Sequence, residues 1–226
     1  MAVGRTNAGG AKKLSSVPLS SFNLGSIVRI RENDLLREFY VAKHGYPTAG
    51  NGRTLLVRRY IHSERQWHSS NVNAYATCTL DAWFNGDYFN SLPADIRDQI
   101  TAVSIPYTPG NGNTAVSSLS RRVFALSGTE LGGSSGSLNV EGTALAIAST
   151  LNPATDSARV AKIQWTRSPR TDAITASHTI NASGSLSNAY CSTAYGVRPA
   201  FTLPSNALVY QIEIESDIVV VDGVPG

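Results

Sequence analysis

Two apolar-anchored segments constrain this chain most: Gln164-Trp165-Thr166-Arg167-Ser168-Pro169 and, later, Tyr195-Gly196-Val197-Arg198-Pro199-Ala200-Phe201. Between them runs a polar stretch of Ser, Thr, Asn, Ala and Gly with few large apolar residues. The ends read as strands held by a core, and the middle as a surface loop or hairpin whose side chains are free to vary. A rigid scaffold presenting a soft polar loop is a common way to build a binding site. The pattern points to recognition more than to chemistry.

Composition narrows the class. A chain of 226 residues suffices for one sizeable domain or two small ones. It is 42% hydrophobic and only 15% charged, which suits a loop-rich, largely β protein. The net charge of +3 is too weak for a concentrated basic face, so nucleic-acid binding is not expected. Cys78 and Cys191 have no CxxC or Cys/His metal spacing, and two buried free thiols are preferred over a single disulfide. No stretch approaches the ~18 apolar residues of a membrane span. The N-terminus lacks the apolar core of a signal peptide. Any exit from the host cell is therefore expected without a Sec-type signal, for example in a released particle assembled in the host cytoplasm.

Residues 1–21 hold little to bury, and Lys12 and Lys13 precede the first acidic residue, Glu32. They read as an arm, either a loose tail or an extended anchor that orders against a neighbouring subunit. The folded domain is expected over 22–226. Strands are expected at 26–30, 38–42 and 54–60, with a turn region at 45–52. Thr79 is the expected cap of a helix burying Leu80, Trp83, Phe84 and Tyr88. A second helix, 94–100, follows Pro93, with a cap at or near Ser91. Further strands are expected at 102–106, 122–126, 161–165 and 197–203, a short helix within 143–151, and a last hairpin from 208–214 and 218–221. No βαβ series is present, so the class is α+β.

Four segments occur in a specific order: Leu80-Asp81-Ala82-Trp83-Phe84-Asn85, Val123 to Glu130, Trp165 to Pro169 and Gly196 to Phe201. They resemble a domain family frequent in phages and gut bacteria, with the pattern wLN, vFlLS..E, YWlRSP, GVRPAf, over about residues 22–204. The chain departs at Phe84 (usually Leu), at Gln164 (usually Tyr) and in a longer polar segment between Gly132 and Ala161. That family is similar to the C-type-lectin-like fold, in the branch holding formylglycine-generating enzymes and the variable proteins of diversity-generating retroelements. The resemblance implies short, mostly antiparallel strands, two helices and long loops. It also implies a late Gly-Val-Arg strand closing the core, with a ligand-binding loop before it. The opening of the chain resembles the starts of tail-associated proteins of phages infecting Gram-positive bacteria.

Trp83, Trp165 and Arg198 form the expected structural core motif. A buried Arg198 must be paired or hydrogen-bonded, and backbone carbonyls with one carboxylate are the expected partners. Trp165 reads as a core plug more than an exposed stacking platform. Arg167 and Arg170 are placed at a turn after the strand, facing solvent, where they serve an anionic glycan or a protein partner, or are plain surface. Asp172, His178, Asn188, Tyr190 and Tyr195 complete the candidate ligand-binding set, since Asn, Ser, Gly and Tyr suit adaptable binding loops. The competing reading is an ordinary hairpin with Ala182-Ser183-Gly184-Ser185 as its turn. His62 and His68 lack metal spacing and an acidic cluster, so neither zinc nor calcium is expected. No nucleophile elbow, phosphate loop or HExxH occurs, and Cys78 and Cys191 lie in contexts unlike a copper-binding cysteine pair. No cofactor and no catalysis are expected.

The resulting expectation is a non-enzymatic phage virion protein of the tail, baseplate or fibre. It would attach through its arm to other virion proteins and bind a host-surface glycan or protein through the loops. The alternative is a structural decoration protein of capsid or tail. A homo-oligomer, taken as a trimer, is expected because virion tips are symmetric.

Overall fold

The computed structural model describes residues 13–212 and 219–220; the segment ahead of Lys13 lies outside the described residues. The first strands are Lys13–Pro18 (β1), Ile27–Glu32 (β2), Leu35–His44 (β3), Arg53–Arg58 (β4) and Ser63–Gln66 (β5). Val103–Tyr107 (β6), Ser117–Arg121 (β7), Val123–Phe124 (β8), Ala154–Thr155 (β9) and Ala161–Lys162 (β10) follow. Gln164–Pro169 (β11), Ala176–Ile180 (β12), Leu186–Tyr190 (β13) and Ala194–Val197 (β14) come next. Ala200–Pro204 (β15), Leu208–Ile212 (β16) and Val219–Val220 (β17) end the series. Three short helices join them: Thr79–Trp83 (α1), Ala94–Gln99 (α2) and Ala148–Leu151 (α3). The described chain is thus mostly strand, in several sheets, with few helices.

An eight-stranded sheet has the order β1-β16-β17-β2-β3-β4-β15-β8, and a five-stranded sheet the order β13-β12-β11-β14-β5. Pairing is antiparallel except β11 with β14 and β17 with β2. In β2 the inward residues are Val28, Ile30 and Glu32, the period-two alternation of a half-buried strand. Asn33 and Asp34, both at positive φ, make the two-residue turn into β3, the geometry whose twist matches a hairpin. In β4, by contrast, every residue from Thr54 to Arg58 is buried. Leu56 enters one apolar cluster with Phe39, Phe201 and Trp83, while Leu55 and Val57 enter another with Tyr46, Phe124 and Leu151. The large sheet is therefore covered on both faces, which explains the continuous apolar run of its central strand.

The chain enters the fold before Phe22. β1 pairs with β16, so residues 13–18 belong to the sheet, and the 3-10 turn Leu19–Ser21 that follows buries Leu19 fully in the main core. Residues 1–12 of the expected arm lie outside the described residues, as does 213–218 within the last hairpin.

Helix signals shift by small steps. Cys78, not Thr79, caps α1, its Sγ accepting from the Asp81 N–H at 3.3 Å. One wide π-type turn, Phe84–Tyr88, continues α1 and keeps Trp83, Phe84 and Tyr88 inward. Pro93 itself occupies the cap of α2, and the Ser91 hydroxyl donates to the Tyr88 carbonyl instead. The expected helix at 143–151 shrinks to the four residues of α3.

The late Gly-Val-Arg-Pro segment is not one strand. β14 lies in the five-stranded sheet and β15 in the eight-stranded sheet, and Arg198-Pro199 is the step between them. Proline cannot donate to a ladder, so the break falls where the chain changes partners. Gly196 is required by close approach: a Cβ there would come within 2.7 Å of Ile61 Cδ1 and 2.8 Å of the Ile163 carbonyl. Leu19→Ala is expected to lower unfolding free energy by about 2–5 kcal/mol, the usual cost of emptying a fully buried leucine site. Urea denaturation followed by circular dichroism measures it.

Candidate functional site

β11 continues through Pro169, well past the expected end at Trp165, and this places Arg167 inside the protein. The Arg167 side chain is fully buried. Its Nη1 donates to Glu130 Oε2 at 2.7 Å and to the Ala125 carbonyl at 3.0 Å, and its Nε to the Pro106 carbonyl at 3.0 Å. Glu141 Oε2 lies 3.9 Å from the same Nε. Glu130 also accepts from the Tyr46 hydroxyl and from the Ser127 N–H, while Glu141 accepts from the Thr108 N–H and the Ser168 hydroxyl. Burial alone would weaken the guanidinium's hold on its proton; Glu130, then Tyr46 and Glu141, outweigh this and strengthen it. Burial raises the Glu141 carboxyl above its usual range, against the pull of Arg167. The expectation of a solvent-facing Arg167 is corrected: it is a structural cation.

His178 is likewise buried, on the inner strand β12, its ring nitrogens facing the Ser137 carbonyl at 3.0 Å and the Ser187 carbonyl at 3.3 Å. It braces the loop at Ser137 against the sheet, which corrects the expectation that it faces a ligand. Trp165 is buried, donating to the Arg65 carbonyl at 2.9 Å, and Trp83 is buried under the Arg65 guanidinium. Arg198 donates to the carbonyls of Arg58 and Leu151 at 3.0 and 2.6 Å, with no carboxylate partner among the described residues. Burial, with Arg58 nearby, pulls its pKa down to about 10.

The remaining candidates do come together. β13 is the outer strand of the five-stranded sheet, and Asn188 and Tyr190 are its exposed residues. With Arg170, Thr175 and Tyr195 they line an open depression of about 490 Å³. Tyr190 is 64% exposed. Tyr195 is half-buried, its ring edge-on to Trp165 at 5.5 Å. Arg170 grips Asp172 with two hydrogen bonds, 2.8 and 2.6 Å, and donates to Asn188 Oδ1 at 3.0 Å. The Arg170 hydrogen bonds hold the Asp172 carboxyl below its ordinary range. Asp172 therefore positions Arg170 and offsets its charge.

The loop carrying Arg170 is set by a residue that sequence reasoning passed over. Asn73, fully buried, reaches the carbonyls of Arg170, Ala173 and Ala176 with Nδ2 at 2.8–3.0 Å and accepts from the Asn111 N–H. Nothing in its sequence surroundings signals this role. Glu130 did stand in a recognised motif, but its partners Tyr46 and Arg167 are distant in the chain.

Cys78 and Cys191 are free and buried, and burial pushes the Cys78 thiol up to about 12. No group of three or more His, Cys, Asp or Glu among the described residues is placed to hold a metal, and no described helix is long and apolar enough to cross a membrane. His62 packs edge-on against Trp83 and Tyr88 at 5.0 and 5.4 Å.

These features define a mostly β protein with a charged structural core and a polar, aromatic outer edge. The chain belongs to a domain family of unknown function (DUF6273), whose model matches residues 51–205. That span contains Arg167, Glu130, Glu141 and the whole lining of the depression. Neither a curated protein nor a solved structure matches the chain.

Glu130→Ala leaves the buried Arg167 without its closest carboxylate and is expected to cost about 3–5 kcal/mol, whereas Arg170→Ala at the surface leaves the urea midpoint unchanged. A second expectation concerns pH. Burial, with Arg58, Arg65 and Arg37, pulls the His62 pKa from 6.5 to about 4. The unfolded chain then binds more protons than the folded one between these values, so His62 contributes stability above pH 6.5 that is lost as pH falls towards 4. His62→Gln is expected to flatten that limb of the stability profile by about 1–3 kcal/mol.

Proposed function

We propose that this chain is a non-enzymatic recognition protein of a phage virion, its domain C-type-lectin-like, binding a host-surface glycan or protein along the β13 edge. The observation carrying the reading is the open depression where Tyr190 and Tyr195 stand beside a pre-positioned Arg170. Exposed tyrosines offer rigid contact area, and amide, hydroxyl and guanidinium groups offer directional hydrogen bonds. The lining holds no imidazole, thiol or carboxylate to act as a base or nucleophile. Because Asp172 offsets Arg170, the depression favours a neutral polar ligand over a strongly acidic one. Placement on a tail, baseplate or fibre, anchored through the segment before Lys13, is supported by the sequence resemblance described above, and a trimer by the symmetry of virion tips.

A second reading, a decoration protein contacting neighbouring virion subunits, is favoured by Leu35 and Leu36. These adjacent leucines at the β2–β3 tip are 56% and 41% exposed, an apolar pair suited to a subunit contact. Purified protein, scored on a glycan array and for adsorption to bacterial cells, separates the two. Tyr190→Ala and Tyr195→Ala are each expected to weaken binding about thirtyfold, as for an aromatic anchor, the variant at the exposed Tyr190 with unchanged melting temperature. Wild-type affinity in both variants overturns the site. Incorporation into particles that depends on Leu35 and Leu36, with no cell or glycan binding, favours the second reading.

A further inference from the structure

A separate concavity lies where β3, β4 and the loop after β9 meet. It measures about 150 Å³ and shares no residue with the Tyr190 depression. That is room for about five water molecules at ~30 Å³ each, and below the ~300 Å³ at which pockets for larger organic ligands begin. Its occupant must be small.

The charges around it do not balance. Arg37, Glu38, Arg58, His62 and Ser157 are among its lining residues. Glu38 is already held on both oxygens, by Arg29 at 3.1 Å and Arg59 at 2.8 Å. Arg58 Nε is spent on Glu32, and its Nη1 donates to the Tyr60 and Ile61 carbonyls at 2.6 and 3.0 Å, which fixes that guanidinium in place. The Arg37 side chain has no hydrogen bond or ion pair among the described residues. Of the charged lining residues, Glu38 and Arg58 are thus paired, and Arg37 is the lining cation left without a carboxylate. His62 feels the surplus, since its charged form is opposed by burial and by three arginines.

The loop that closes the pocket adds no free negative charge. Ile61 N–H donates to the Thr155 carbonyl at 2.8 Å, bringing residues 155–157 against Tyr60 and Ile61. The Asp156 carboxylate is committed to the Ala158 and Val160 N–H groups and lies 3.5 Å from Lys162. A small concavity with a fixed arginine and a second planar guanidinium free of carboxylates matches the chemistry of a tetrahedral oxyanion.

We propose that this pocket binds a phosphate or sulfate group, with Arg37 as the gripping cation, Arg58 as the fixed background charge, and Ser157 and His62 as hydrogen-bonding groups. The inference stands independently of the function proposed above. The test titrates the full chain with inorganic phosphate, sulfate and glycerol 3-phosphate at ionic strength matched with chloride, read by thermal shift and calorimetry. Wild type is expected to gain melting temperature over the chloride control, and Arg37→Gln to bind at least tenfold more weakly with its ligand-free melting temperature unchanged. Ser157→Phe, filling the pocket from an exposed loop, is expected to remove the shift without touching any arginine. Binding of glycerol 3-phosphate as tightly as phosphate assigns an esterified ligand, and its rejection with phosphate retained assigns the free ion; both support the site. Equal effects of oxyanion and chloride, or wild-type affinity in both variants, overturn it.

Discussion

A guanidinium with no contact to water anchors this molecule. Arg167 sits on β11 of the smaller sheet, while Tyr46, Glu130 and Glu141 approach it from loops packed on the larger one. Removing a charge from water is costly, and it persists inside a protein only when paired and hydrogen-bonded. Here each partner is itself held, Glu130 by Tyr46 and Ser127, Glu141 by Thr108 and Ser168. The network therefore joins distant loops into one unit, and loss of a single carboxylate strands the cation.

From that anchor the smaller sheet grades outward. β11 and β12 are buried along their whole lengths, while the edge strands β13 and β5 present side chains to solvent. The edge strand can thus vary in chemistry without disturbing the residues beneath it. Asn73 ties the Arg170–Ala176 loop to the interior from the opposite direction. The depression combines a fixed floor with an exposed rim, which reduces the ordering cost of binding.

Much of the framework was legible because it obeys local rules. β2 alternates, Pro93 marks the start of α2, and Trp83 and Trp165 lie among apolar neighbours. Arg167 was misplaced for a physical reason: Thr-Arg-Ser-Pro looks polar and turn-like, and only an unseen carboxylate pair makes its burial tolerable. His178 misled in the same way, since carbonyls of Ser137 and Ser187 satisfy it inside the sheet. Arg198 was recognised as a buried brace, but the change of sheet at Pro199 left no mark in hydrophobic pattern.

Periodicity, turn residues and aromatic spacing in the sequence alone determined that this chain is strand-rich, weakly charged and built around a late Gly-Val-Arg-Pro segment. Local interactions encode those properties, so they can be read residue by residue. Which polar residues are core and which are surface was decided only by tertiary structure. A polar side chain's environment depends on partners far away in the chain, as Tyr46 and Glu130 are for Arg167, and Arg170 kept its place at the surface because its own partners, Asp172 and Asn188, lie there too.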